Sequence, residues 1–449
     1  MKKYIYTIVA ATAMLASCSQ DAELNGIIDN QSKAITEIGA TTSAGTRAVI
    51  SSSDNTKVNW ESGDQIGAIG KISSGDPNYV NYAYTLNGAG GSTSGTFKND
   101  ASPIEYVSFV MYPYQSTANY DDNDDKLTCE IPTVQTATAG SFDKAAAIMY
   151  QFGTGGNDIN LTLDYAVAFL KVNIPSGTTN VHAITVYSST ALSGKVDITY
   201  GFGGASVTAA SSGSQTYVTL QADATNGALA DGKDYYIAVK PDTLENLSIA
   251  YKYTDHTAKA KQGGSNLTLA AGHVKTIKAD FTSGTVHEAK QLWADGPYFA
   301  TVNVGETTET GNTQTYMWGA TAAGGSENTG DYDLDHDTAY KIWGSAWRMP
   351  INDEFVALNT NKSSVSYGQL SGTSTYGFTF QGASGYGSIF LPANGGSNST
   401  NGVADYWSAT PDSDVYAYSL DLMGGYGLMV SPNFSNPRYS AYFVRAVLR

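Results

Sequence analysis

The chain has 449 residues, with 25 Lys and Arg against 41 Asp and Glu, and a formal net charge of −16. That balance excludes a nucleic-acid binder, which needs a basic face to displace counterions from phosphates, and suits a soluble, self-repelling surface protein. Only 15% of residues are charged, while 47 are Gly and 31 are Tyr, the usage of extracellular β-proteins with aromatic strands and Gly-rich turns.

The first element is a targeting segment. Lys2 and Lys3 precede an apolar run from Ile5 to Leu15, and Leu15-Ala16-Ser17-Cys18 closes it. The run is too short for a membrane-spanning helix, which needs about 20 residues. The pattern predicts a bacterial lipoprotein signal over residues 1–18, with Cys18 taking the lipid and becoming the new N-terminus. Ser19 to Glu23 resembles the acidic tag that sends some lipoproteins of anaerobic diderm bacteria to the outer face of the outer membrane. With Cys18 lipidated, Cys129 is the one thiol left and no disulfide forms within the chain. The remaining length of about 430 residues implies two or three domains.

Residues 19–47 are polar apart from Ile27-Ile28 and the stretch Ile35 to Ile38, and read as a tether with one strand at most. From 48 to 164, short apolar runs recur between turn clusters: Trp60, Gln65 to Ile69, Tyr79 to Leu86 and Tyr106 to Tyr114. Regular short strands of this kind predict a β-sandwich. Residues 165–283 form a second such block. Its clearest strand sets Leu247, Ile249, Tyr251 and Tyr253 on one face and Ser248, Ala250, Lys252 and Thr254 on the other, which predicts one buried and one wet face. Ala166 to Ile174 and Asp234 to Lys240 are similar runs, each ended by a proline. From 284 to 449 Trp and Gly become dense, with Trp293, Trp318, Trp343, Trp347 and Trp407. Here Asp335 to Gly344 predicts a short helix with an Asp N-cap and a glycine stop, and Pro350 to Leu358 a second with Phe355 and Leu358 on one face.

Catalytic motifs are missing. His182, His256, His273, His287 and His336 lack ligand spacing and read as solvated or edge residues, and His287-Glu288 lacks the second histidine of a zinc-protease helix. Gly382 to Tyr386 fails as a nucleophile elbow because Tyr386 stands where glycine is needed. Gly201 to Ser206 lies between β-like segments and reads as a hairpin turn, not a dinucleotide loop. Two acidic runs offer hard oxygen ligands: Asp121, Asp122, Asp124 and Asp125, and Asp331, Asp333, Asp335 and Asp337. Neither has the glycine and glutamate of a calcium loop, and the alternatives are a solvated loop and helix-start capping. No cofactor or metal is implied. Aromatic rings of the last block offer flat faces for sugars or serve as core.

Gly45-Thr46-Arg47-Ala48, then Val58-Asn59-Trp60-Glu61-Ser62-Gly63-Asp64-Gln65-Ile66-Gly67, with Leu163 to Ala166 and Ala270 to His273, resembles the fimbrillin family over residues 1–283. These are subunits of lipoprotein-derived pili of gut and oral anaerobes. The resemblance implies two transthyretin-like β-sandwich domains, and an arginine-specific cut between Arg47 and Ala48. Removing an N-terminal strand that completes a sandwich would expose two unpaired edges and an apolar groove, which a neighbouring subunit's strand would fill. Trp343 to Pro350, Glu354 to Leu358, Phe390 to Ala393, Tyr406 to Thr410 and Phe443 to Val447 resemble C-type-lectin-like, sulfatase-modifying-factor-like modules. No Cys follows Cys129, so the chemistry of the enzymatic members is not implied, and Ile351-Asn352 stands where relatives place a capping Thr.

The expected fold is therefore mainly β: two transthyretin-like sandwiches followed by a C-type-lectin-like α+β domain. The expected protein is a non-enzymatic pilus subunit at the cell surface, positioned at the tip because the chain closes on Val447-Leu448-Arg449 with the last module. Its partners are other subunits through donor-strand pairing, the outer membrane through Cys18 before processing, and a glycan or protein ligand touched by Trp343, Trp407, Asp331 and Asp333. The alternative is a permanently lipid-anchored glycan-binding protein of the outer membrane.

Overall fold

The computed structural model describes residues 34–42, 59–73, 75–153, 159–201, 204–223, 227–394, 402–425 and 427–449. The signal, Cys18, Arg47 and Ala48 lie outside them. The described residues are mainly β, with two short α-helices in the last third.

Ten strands come first: β1 (Glu37–Thr42), β2 (Gln65–Lys71), β3 (Val80–Leu86), β4 (Ser94–Lys98), β5 (Tyr106–Tyr112), β6 (Asn119–Asp121), β7 (Lys126–Ile131), β8 (Val134–Thr136), β9 (Met149–Phe152) and β10 (Asn160–Tyr165). Hydrogen bonding closes round seven of them in the order β1-β10-β9-β5-β2-β3-β4. Period-two patterning explains their orientation: Leu161 and Leu163 of β10 are buried and Asn160 and Thr162 exposed. The strand that closes the ring lies inside the stretch expected to be tether.

Of the three other strands, β6 pairs with β7, and β7 and β8 pair beyond the first block. β7 runs antiparallel to Ser193–Gly201, and β8 parallel to Tyr217–Gln221. Cys129, Phe109, Phe169, Val196 and Ile198 consequently share one core across position 164. Cys129 is buried there as a free thiol, and desolvation pushes it up to about 12, far from a reactive thiolate. Gly201 and Gly204 face each other at the end of an antiparallel pair, as the hairpin reading of that segment requires.

A nine-stranded sheet then crosses position 284. Its order is Trp347–Arg348, Val447–Leu448, Tyr298–Ala300, Val286–Gln291, Thr257–Gln262, Ser248–Tyr253, Val181–Tyr187, Tyr217–Gln221 and Val134–Thr136. One of its faces covers the second-block core with Ile184, Val186 and Tyr251. The other face explains a departure from expectation. Ser248 and Ala250, assigned to water by alternation, are buried, because Ala250, Ala258, Ala260 and Ala289 form a smooth floor under Trp318, Trp343 and Trp347. Lys252 keeps its ammonium 5.5 Å from the Tyr298 ring, and burial lowers its pKa. Ala250→Leu should overpack this floor and cost about 1–3 kcal/mol in urea unfolding, where a wet position would tolerate leucine.

In the last block α1 (Thr338–Trp343) starts on Asp337, whose Oδ1 accepts from Tyr340 N at 2.9 Å, and ends on Gly344 at φ 91°. Helix α2 (Asn352–Asn361) buries Phe355 and Leu358. The missing capping Thr is replaced from elsewhere: Thr410 Oγ1 accepts from Asn352 N at 2.9 Å, and Glu354 Oε2 accepts from Ile351 N at 2.9 Å. Two three-stranded sheets complete this part, one of them Val403–Pro411, Tyr416–Met423 and Met429–Pro437.

Candidate functional site

The slot that holds β1 is built from residues on both sides. β1 runs parallel to β10 with Gly39 opposite Asn160 and Thr42 opposite Leu163, and antiparallel to β4 with Glu37 opposite Lys98 and Thr41 opposite Ser94. Ile38 and Ala40 point into the ring with Trp60, Tyr84, Phe97 and Leu161, and Ile35 just before the strand is buried as well. Trp60 lies beneath the strand: it packs edge-on against Phe97 at 5.1 Å and Tyr112 at 5.0 Å, and its Nε1 donates to the Ala40 carbonyl at 3.2 Å. Tyr84 OH donates to the Ile35 carbonyl at 2.7 Å, and burial pushes that phenol up to about 12, so it stays a donor. At the outer rim Lys98 Nζ meets Glu37 Oε1 at 2.5 Å.

Such a slot has two ladders and an apolar floor, and β1 satisfies all three. With β1 gone, the facing edges of β10 and β4 would present unpaired amides and carbonyls above the Trp60 side chain, a template for another strand. Gly39, Lys98 and Asn160 belong to this site and were not singled out by sequence reasoning. The signal available for them was the alternation over Ile38, Ala40 and Thr42, directly upstream of the Arg47 motif.

The residues expected to touch a ligand are not brought together. Trp407 is fully buried, with Nε1 donating to the Tyr316 carbonyl at 2.9 Å and Tyr442 packed on it at 4.5 Å. Trp343 is buried over the alanine floor, stacked on His287 at 3.8 Å. Both belong to the core cluster that includes the alanine-lined face. His287 is accordingly no solvated residue; burial lowers it to about 4. Asp333 is exposed but engaged, its Oδ1 accepting from His336 N at 3.0 Å as the cap of a 3₁₀ turn. Asp331 is exposed, and its carbonyl accepts from Asn328 Nδ2 at 3.0 Å. In the other acidic run Asp121 Oδ1 accepts from Asn123 N at 3.0 Å, turning the chain between β6 and β7. Among the described residues no group of three or more His, Cys, Asp or Glu is arranged to hold a metal ion.

No protein-family model matches the chain, and no curated protein matches it. Among solved structures it is similar to a proposed cell adhesion protein of Bacteroides uniformis ATCC 8492, at 15% identity and a TM-score of 0.34, covering 57% of this chain and 96% of that one. A proposed cell adhesion protein of Bacteroides ovatus ATCC 8483 gives 18% and 0.32, again with 57% and 96% covered. The major pilin of Streptococcus pyogenes, as its N168A mutant, gives 12% and 0.15, with 55% and 97% covered. These neighbours are adhesion proteins and a pilin, not enzymes.

Proposed function

We propose that the chain is an adhesive subunit of a surface pilus, exported as a lipoprotein on Cys18, cut between Arg47 and Ala48, and assembled by acceptance of a partner's strand. The observation that carries this reading is the place of β1: it ends at Thr42, upstream of Arg47, yet closes the ring of the first block. A cut at Arg47 would sever one described strand of that ring, β1, from the rest. The lipid would leave with it once the strand was displaced, and the exposed slot would recruit the next strand.

Val447–Leu448 is held in place and is not the strand such a subunit would give away. Both residues are buried, and their strand is paired on one side with Phe299 and on the other with Trp347–Arg348. Donating it would break the nine-stranded sheet. In this reading the last block is the adhesin, with a glycan or protein as ligand.

The test is the N-terminus of the protein recovered from cells. A free Ala48 supports the pilin, and Arg47→Ala should then leave full-length lipoprotein and abolish incorporation into fibres. A diacylated Cys18 on the surface form of the wild-type protein would instead favour a permanently anchored glycan binder.

A further inference from the structure

Resting on the reading that β1 is exchanged, we propose that the slot selects its occupant by sequence. It takes an extended segment of a different protein that runs in the direction of β1. That segment carries a carboxylate at the place of Glu37, no side chain at the place of Gly39 and a small one at the place of Ala40.

Direction follows from the two ladders, parallel on β10 and antiparallel on β4; a reversed strand would have to rebuild both. General grip comes from bonds to carbonyls, Tyr84 OH to Ile35 and Trp60 Nε1 to Ala40, which any residue type accepts. Discrimination comes from three positions. A Cβ on Gly39 would stand 2.1 Å from Asn160 Oδ1, 3.1 Å from its Cγ and 3.3 Å from the Ile159 carbonyl oxygen. The Asn160 side chain lies in that space and must swing away before a larger residue enters. Ala40 sits opposite Gly95, where a Cβ would already meet Leu86 Cδ1 at 2.5 Å and Trp60 Cδ1 at 3.1 Å. The row is too full for a second large side chain. Lys98, directly opposite Glu37, favours an acid, weakly and in a salt-dependent way because both groups are exposed.

The occupant is foreign because the order acid, apolar residue, glycine, alanine occurs once in the chain, at Glu37–Ala40. The nearest match, Gln65-Ile66-Gly67-Ala68, is β2 itself, held between β3 and β5. Within residues 1–449 a second copy has no spare segment of this kind.

The experiment uses the full chain with a site-specific protease sequence in place of residues 45–50. Nicking leaves β1 held without a covalent link, and fluorescent peptides of residues 34–42 are exchanged for it in mild urea and followed by anisotropy. The native peptide should enter, while Gly39→Val and Ala40→Leu peptides should bind about tenfold or more weakly. Asn160→Ala in the protein should rescue the Gly39→Val peptide and leave the Ala40→Leu peptide weak. A Glu37→Lys peptide should lose about two- to fivefold at low salt and recover on a Lys98→Glu protein. Equal binding of all peptides would overturn sequence selection while leaving strand acceptance standing. Entry of no peptide, the native one included, would overturn both. Strand-swapped dimers of the nicked chain, seen by light scattering, would overturn the assignment to a different protein.

Discussion

Replacing Ile38 by aspartate in the uncut chain should destabilise the first block by about 5 kcal/mol or more. Ile38 is fully buried and lies opposite Phe97 in the ladder with β4. Removing its side chain costs about 2–5 kcal/mol in lost transfer energy and residual cavity. A carboxylate set among aromatic rings adds its own desolvation, and takes up a proton or leaves the slot. Either way β1 loses its anchor while the covalent chain stays whole, which imitates the stripped slot without a cut. Thr41→Ala, on the outward side of the same strand, should change stability by about 0.5 kcal/mol or less. The measurement is urea unfolding of both variants with a hydrophobic dye present. The Ile38→Asp protein should bind dye at urea concentrations where wild type does not. Equal midpoints for the two variants would mean that β1 contributes nothing to the ring.

Asparagine at position 405 should stabilise the last block at neutral pH. Asp405 and Asp421 stand directly opposite each other on adjacent strands, with Tyr442 nearby. Burial, and then the Asp421 charge, raise Asp405 from 3.8 to about 6, and burial raises Asp421 too. Asn394 Nδ2 donates to Asp405 at 3.2 Å, and Asn436 Nδ2 to both oxygens of Asp421 at 3.2 and 3.1 Å. A carboxyl whose folded pKa lies above its unfolded value binds its proton more tightly when folded. Its penalty is absent below about 4, grows as pH rises to about 6 and is constant beyond. The whole span would be about 3 kcal/mol, which water on the open side of the carboxyl reduces to about 1–2 kcal/mol. Carboxylates held low, such as Asp234 beside Lys171, act with the opposite sign and lose their contribution at acid pH. The reading is therefore the difference between wild type and Asp405→Asn across pH 4.5 to 7, which should open as pH rises. A constant difference would remove the charge explanation.

Much of the fold is legible in local chemistry, and the misses have physical causes. Asp337 and Gly344 bracket a helix because a carboxylate can accept the orphan amides of its first turn and glycine tolerates a positive φ at its end. The strand over Leu247 to Tyr253 is equally plain from its period. Its second face is not, since alanine reads as neutral in a pattern and only tertiary placement shows that Ala250 is a floor for tryptophan. The same floor hides the fate of Trp343 and Trp407: composition reveals flat rings, and their orientation depends on segments distant in the chain. For the slot, the alternation of β1 is local, while its parallel partner β10 lies more than a hundred residues away and leaves no short-range trace. Asn160 reads as an ordinary exposed strand residue until Gly39 is placed beneath it.

The two-sided pairing of β1 has a mechanical side. The strand lies along four residues of β10 and five of β4. A pull along its axis slides it lengthwise, so both ladders bear the load together instead of opening one bond at a time. A strand pulled in that direction is held in shear, the geometry in which a short stretch of backbone hydrogen bonds resists a pull best.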